Sequence, residues 1–130
     1  TVTVCPYCGV GCSLVLETRG NQIIGAHGDP DGPANQGRTC VKGHFGYDFV
    51  NHKDRLTLPL IRKDDVLVES SWEEALDLVG RTFAQIKTEH GGDAFGVLTS
   101  AKCTNEENYL TQKLTRAVLG SNSVDHCARL

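Results

Sequence analysis

The sequence predicts an α/β chain in two parts: a small α+β unit of short antiparallel strands, then the first βαβ elements of a larger α/β domain. Three observations predict it. Near the N-terminus, short runs that suit strands are joined by turn formers. In the second half, two amphipathic runs carry helix-start signals. A short apolar segment follows each of them, and alternation of helix and strand is the signature of a parallel sheet. The boundary falls between the units 1–55 and 56–130.

Thr1 to Val4 alternates as a short strand does. Ser13 to Thr18 and Gln22 to Ala26 are two more strands, and Gly20-Asn21 supplies a tight hairpin turn between them. Gly28-Asp29-Pro30-Asp31-Gly32-Pro33 reads as loop. Gly43 to Val50 reads as one short helix carrying Phe45, Tyr47 and Phe49. From Leu56 to Ser70 the chain reads as extended, with Lys63-Asp64-Asp65 turning between Leu60-Ile61 and Val66-Leu67-Val68. Ser71 with Glu74 predicts a capping box. Trp72, Ala75, Leu76, Val79, Phe83 and Ile86 then recur with helical period until Gly91-Gly92. Phe95 to Thr99 reads as a short buried strand. Thr104 with Glu107 predicts a second box, Leu110, Leu114, Ala117 and Val118 the next apolar face, and Gly120 its end. Ser123-Val124-Asp125 begins another strand.

Bulk properties exclude some partners. A net charge of −3 and the lack of a Lys/Arg block argue against nucleic acid. No apolar run approaches the roughly 18–20 residues that span a bilayer, so direct membrane insertion is not expected. No export signal is visible, and the expected location is cytoplasmic. The sequence contains no Met, so a trimmed leader is compatible with it.

The cysteines carry the chemistry. Of six, Cys5, Cys8, Cys12 and Cys40 lie in the first 40 residues, in the spacing C-x2-C-x3-C-x27-C. Disulfide scaffolds spread their cysteines among loops, whereas these cluster as ligands do. A [4Fe-4S] cluster takes one thiolate per iron, so a loop must wrap it, and Gly9 and Gly11 suit that loop. Zinc is the competing occupant, although its structural sites usually pair two two-ligand knuckles. Cys5-Pro6-Tyr7-Cys8 also has the form of a glutaredoxin dithiol motif. That fold requires a helix directly after the motif, and Gly9-Val10-Gly11-Cys12 is poor helix material. Cys103 and Cys127 stand alone and read as buried free thiols. The five histidines show no ligand spacing, although His44 lies close to Lys42.

With these residues in view, the chain resembles the molybdopterin (or tungstopterin) oxidoreductase family, and within it the catalytic subunit of formate dehydrogenase. Three segments carry the match: Thr3 through Cys12; Asn35-Gln36-Gly37-Arg38-Thr39-Cys40-Val41-Lys42-Gly43; and Ser100 through Thr104-Asn105-Glu106-Glu107-Asn108-Tyr109 to Val124-Asp125-His126-Cys127-Ala128-Arg129-Leu130. The first two indicate the superfamily, and the third points to formate dehydrogenase.

The resemblance implies a cluster domain at 1–55, with Cys5, Cys8, Cys12 and Cys40 as its metal ligands. It implies that 56–130 begins a pterin-binding region holding a Mo or W bis(molybdopterin guanine dinucleotide) centre. It implies interconversion of formate and carbon dioxide by the whole subunit, with electrons leaving to an iron–sulfur subunit or carrier. Alternatives are another superfamily member, such as a nitrate reductase-like enzyme, or a stand-alone iron–sulfur carrier. Lys42 would lie between cluster and pterin on the electron path; by residue type alone it reads as a solvated surface lysine. The loop with Ser100, Lys102, Asn105 and Glu106 would border the pterin, since ligands bind at the carboxyl ends of strands. Its other reading is an ordinary capped connection. No catalytic residue is expected within the chain. The metal-ligating cysteine or selenocysteine, with selenocysteine expected, would follow Leu130 directly, so the 130 residues alone should be inactive.

Overall fold

The computed structural model describes residues 1–127. The N-terminal unit is an antiparallel sheet in the order β1 (Val2–Val4), β2 (Ser13–Arg19), β3 (Gln22–Gly28). Val4 pairs with Ser13, and the Cys5 N–H reaches the Cys12 carbonyl at 2.8 Å. Residues 5–12 are therefore the hairpin loop between β1 and β2. Gly20-Asn21 turns β2 into β3 as its composition predicts.

Two short helices, α1 (Val41–Phe45) and α2 (Asp48–Asn51), cover one face of this sheet. The single helix expected over Gly43 to Val50 is thus divided. The break lies at Gly46, whose N–H caps α1 on the Lys42 carbonyl and whose own carbonyl accepts the Tyr7 hydroxyl. Asn51 holds the backbone of Ile23, accepting its N–H at 3.1 Å and donating to its carbonyl at 2.6 Å. Leu14 and Ala26 are buried between sheet and helices. Beside them, a small apolar cavity is lined by Val4, Tyr7, Leu16 and Phe49.

A hairpin of β4 (Leu60–Lys63) and β5 (Val66–Glu69) follows. Its turn residues Asp64 and Asp65 both take positive φ (48° and 64°), as a two-residue hairpin turn requires. The long helix α3 (Trp72–His90) is capped by the Ser71 hydroxyl, which accepts the Glu74 N–H, and Gly91 ends it. The expected Ser71–Glu74 box is only half formed. The Glu74 carboxylate turns instead to the Ser70 hydroxyl (2.7 Å) and the Lys63 ammonium (2.9 Å), which hold it below the usual carboxylate range.

Next come β6 (Val97–Thr99), α4 (Asn105–Leu114) with a π turn at Thr115–Leu119, and β7 (Val124–His126). β6 and β7 pair in parallel, so β6–α4–β7 is the βαβ unit that the sequence predicts. Here the capping box is complete, with Thr104 and Glu107 exchanging both bonds. Gly120 takes φ 77° and ends the helical path.

The expected buried strand Phe95–Thr99 is shorter and less covered. Phe95 is buried and meets Phe83 edge-on at 5.4 Å, but Leu98 is 84% exposed. The apolar faces of α3 and α4 also stand open, with Leu76, Val79, Leu110 and Val118 exposed. The reason is topological: a two-stranded parallel pair offers too little surface to cover two helices. Among the described residues, no helix is long and apolar enough to cross a membrane.

Candidate functional site

Cys5, Cys8 and Cys12 all lie on the β1–β2 hairpin loop. The loop is closed at its base by the Cys5–Cys12 backbone bond and turned by Gly11 at φ 75°. Cys5 is buried, whereas Cys8 and Cys12 are half-buried. Tyr7 fastens the loop to the helices through its hydroxyl and an edge-on contact with Phe49 at 6.4 Å.

Cys40 arrives from a second loop and is the N-cap residue of α1. That loop is folded around Asp29 and Asn35. The Asp29 carbonyl accepts the N–H groups of Gly32 and Gly37, and Gln36 and Gly37 take positive φ. The buried Asn35 side chain bonds both backbone groups of Ser13, the residue after Cys12, and the Arg38 carbonyl. The loop carrying Cys40 is in this way held against the strand that leaves Cys12.

The electrostatics join the four sulfurs. The Cys12 thiol is pushed up by burial and then by negative charge on Cys5, Cys8 and Cys40. Cys40 moves the other way. The backbone N–H groups of Gly43 and Lys42, and the Lys42 charge, hold its thiol below the ordinary value. Gly43 itself is buried against Cys5: a Cβ there would lie 3.5 Å from the Cys5 sulfur and collide with the Thr39 hydroxyl.

This donor set suits an iron–sulfur cluster. Soft thiolates facing one another from two loops need cations between them, and each iron of a cubane takes one thiolate. A single-ion zinc site asks for ligands converging on one point. Here three of the four thiols share one hairpin loop and the fourth comes from another, a grouping unlike the two paired ligand sets usual for structural zinc. The helix that a glutaredoxin-type dithiol needs after Cys8 is replaced by the remainder of the hairpin loop.

Lys42 lies in the first turn of α1, beside Cys40, with its side chain exposed. The second candidate region is the loop after β6. Parallel pairing brings the carboxyl ends of β6 and β7 together, and Ser100, Lys102 and Cys127 meet there. The Ser100 hydroxyl lies 3.4 Å from the Cys127 sulfur and accepts the Lys102 N–H at 3.0 Å. Asn108 holds the backbone of Ser100 at both N–H (3.2 Å) and carbonyl (2.9 Å). The side chains of Lys102 and Glu106 are exposed. Asn105 instead donates its amide to the Gly9 carbonyl at 2.8 Å, on the cysteine-bearing loop.

Two readings from sequence are corrected. Cys103 and Cys127 are not buried: Cys103 is half-buried and Cys127 exposed. Cys127 directly follows β7, and its thiol is held below the ordinary value by the Ser100 hydroxyl and the Ala101 N–H. Sequence reasoning also missed the structural parts played by Asn35 and Asn108. Both stand inside the matching segments, but nothing in their spacing names Ser13 or Ser100 as partner. Ala128, Arg129 and Leu130, which close the third segment, lie outside the described residues.

The family model described as Molybdopterin oxidoreductase Fe4S4 domain matches residues 1–52. The model described as Molybdopterin oxidoreductase matches residues 55–130. "Putative formate dehydrogenase YrhE" of Bacillus subtilis is 54% identical over 99% of this chain and 13% of its own length. "Probable oxidoreductase YjgC" of the same organism is 53% identical over the same shares. The "F420-dependent formate dehydrogenase subunit alpha" of Methanocaldococcus jannaschii is 45% identical over 98% of this chain and 18% of its length. The chain thus spans less than a fifth of these relatives.

Proposed function

The chain belongs to the molybdopterin oxidoreductase family, and from that premise we propose that it is the electron-transfer portion of a formate dehydrogenase catalytic subunit. The observation that carries the proposal is the meeting of two cysteine-bearing loops through Asn35 and Ser13. Residues 1–55 form the cluster unit, and Cys5, Cys8, Cys12 and Cys40 ligate a [4Fe-4S] cluster. Residues 56–130 begin the pterin-binding region. The cluster supplies one-electron transfer when bound, and a Mo or W bis-pterin centre in the whole subunit supplies the interconversion of formate with carbon dioxide.

This chain's own part is to hold, orient and shield. The hairpin loop presents three thiols, and the N-terminus of α1 presents the fourth with its N–H groups beside the sulfur. Lys42 places a positive charge beside Cys40, which favours an arriving electron and fits a relay position between cluster and pterin. Ser100, Lys102, Asn105 and Glu106, on the loop and first helical turn that follow β6, border the pterin. Electrons leave to an iron–sulfur subunit or carrier, and the rest of the catalytic subunit completes the enzyme.

Iron, sulfide and formate turnover test the proposal. Anaerobically prepared full-length subunit should hold about four irons and four sulfides at this site, as a cubane requires. Reduction should give a spin-half signal that disappears in Cys12→Ala. Formate should reduce the enzyme. Stoichiometric zinc at these cysteines under iron-replete conditions defeats the cluster, and loaded enzyme inert to formate defeats the substrate.

A further inference from the structure

The first turn of α4 reaches the cysteine-bearing hairpin loop through one side chain. Asn105 follows the N-cap Thr104, and the Thr104–Glu107 box fixes the backbone it stands on. Its Nδ2 lies 2.8 Å from the Gly9 carbonyl, across 96 residues of sequence. A carbonyl can only accept, so the amide N–H is the donor. Among the hydrogen bonds of the described residues, this one joins the N-terminal unit to the βαβ unit.

Gly9 is shaped for this contact. A Cβ at Gly9 would meet the Asn105 Oδ1 at 2.5 Å, so the amide reaches the carbonyl because the position has no side chain. Gly9 stands between Cys8 and Cys12. Its carbonyl shares a rigid plane with the Val10 N–H, which points the opposite way. Fixing the carbonyl therefore fixes an N–H dipole within a loop that carries three of the four thiols. Backbone dipoles and hydrogen bonds around the sulfurs are among the levers that set a cluster's reduction potential.

We propose that Asn105 is a positioning residue: by holding the Gly9 carbonyl, it fixes the Gly9–Val10 peptide and so sets the potential at which the cluster takes up an electron. The same turn of α4 grips Ser100 through Asn108. One helical turn thus ties the cluster loop to the loop at the strand ends. The inference rests on the cluster reading above.

The test is a cycle of variants in the full-length, iron-loaded subunit: Asn105→Ala, Asn105→Asp, Gly9→Ala and the double Gly9→Ala/Asn105→Ala. Iron content is read first, then the midpoint potential by EPR-monitored titration, with the g values of the reduced state. Asn105→Ala removes the donor, and Gly9→Ala pushes it away. Each should move the midpoint in the same direction, and the double variant should move it no further than the larger single change. Asn105→Asp, which cannot donate at neutral pH, should move it at least as far as Asn105→Ala. Wild-type midpoint and g values in Asn105→Ala overturn the proposal, as do additive shifts. If Asn105→Ala loses its iron, Gly9→Ala decides, because it leaves α4 and its cap unchanged: a moved midpoint supports the proposal and an unmoved one overturns it. Wild-type protein without iron removes the cluster reading itself, whereas iron-loaded variants with unmoved potentials remove this inference alone.

Discussion

The side chain of Asn35 hydrogen-bonds both backbone groups of Ser13, accepting the N–H at 2.9 Å and donating to the carbonyl at 3.0 Å. Its second amide hydrogen reaches the Arg38 carbonyl at 2.7 Å. Ser13 follows Cys12, and Asn35 comes five residues before Cys40. Two stretches of chain that carry thiols are thereby joined next to those thiols. The joint is buried, with Asn35 only 8% exposed, so water cannot readily replace it.

Asn35→Leu should consequently cost more than a surface change. It leaves the part-buried Ser13 N–H and Arg38 carbonyl without these partners, which costs toward the lower end of the roughly 1–3 kcal/mol of a fully buried group. Asn35→Asp keeps the volume and the Ser13 contact but loses both donors and faces two carbonyls with a carboxylate. Both variants should show a lower urea midpoint at unchanged slope, together with a reduced iron-to-protein ratio. Wild-type values for Asn35→Asp would show that shape, not hydrogen bonding, holds the two loops together.

How far this arrangement was legible in the sequence depends on the range of the interactions that set it. The Gly20-Asn21 and Asp64-Asp65 turns, the Thr104–Glu107 box and the helix stops at Gly91 and Gly120 were legible because each is local chemistry. The division of α1 from α2 was not, because it involves the Tyr7 hydroxyl, 39 residues away from Gly46. Glu74 left its predicted partner because the Ser70 hydroxyl and, from the end of β4, the Lys63 ammonium both bind its carboxylate. In the candidate site, spacing picked out the four cysteines, but the Asn35–Ser13 and Asn105–Gly9 contacts required the fold.

Gly43→Ala should damage the cluster without touching a thiol. A Cβ there would collide with the Thr39 hydroxyl, next to Cys40, and would sit in ordinary contact with the Cys5 sulfur at 3.5 Å. Alanine favours helix over glycine by about 1 kcal/mol, so α1 alone would gain from the change. The expected result is iron loss with helix content retained, read by iron analysis and circular dichroism. Full iron occupancy in Gly43→Ala would show that the Thr39 side chain beside Cys40 gives way at little cost.

Lys42→Ala tests the relay. The side chain is exposed and makes no hydrogen bond among the described residues, so its removal should leave folding intact. In the full enzyme, electron delivery to an acceptor drawing from the cluster should fall by roughly tenfold, the scale of changes next to a metal site. Metal and pterin content should stay at wild type. Lys42→Arg is not a neutral control, because a planar guanidinium replaces a flexible ammonium. A wild-type rate in Lys42→Ala would return this residue to the solvated surface.

The last prediction concerns Cys127 and pH. Its thiol is held below the ordinary value first by the Ser100 hydroxyl, then by the Ala101 N–H, with the Lys102 charge adding to them. All three favour the thiolate, which is the form that reacts with alkylating reagents. A lowered folded-state value fixes the sign. The stabilisation is present above the unfolded thiol's value, near pH 8.5, and is lost as pH falls through the folded value. Alkylation of Cys127 in the folded protein should therefore persist below that pH and fall off at the lowered value. Ser100→Ala removes the largest cause, so the fall-off should move to higher pH. Lys102→Gln should move it less, because an exposed charge is screened by solvent and salt. Mass spectrometry of the Cys127 peptide across a pH series measures both shifts, with the Cys103 peptide reporting reagent activity in the same digest. An unchanged profile in Ser100→Ala would mean that the 3.4 Å contact does not govern this thiol, leaving the Ala101 N–H at 3.3 Å to account for its ionisation.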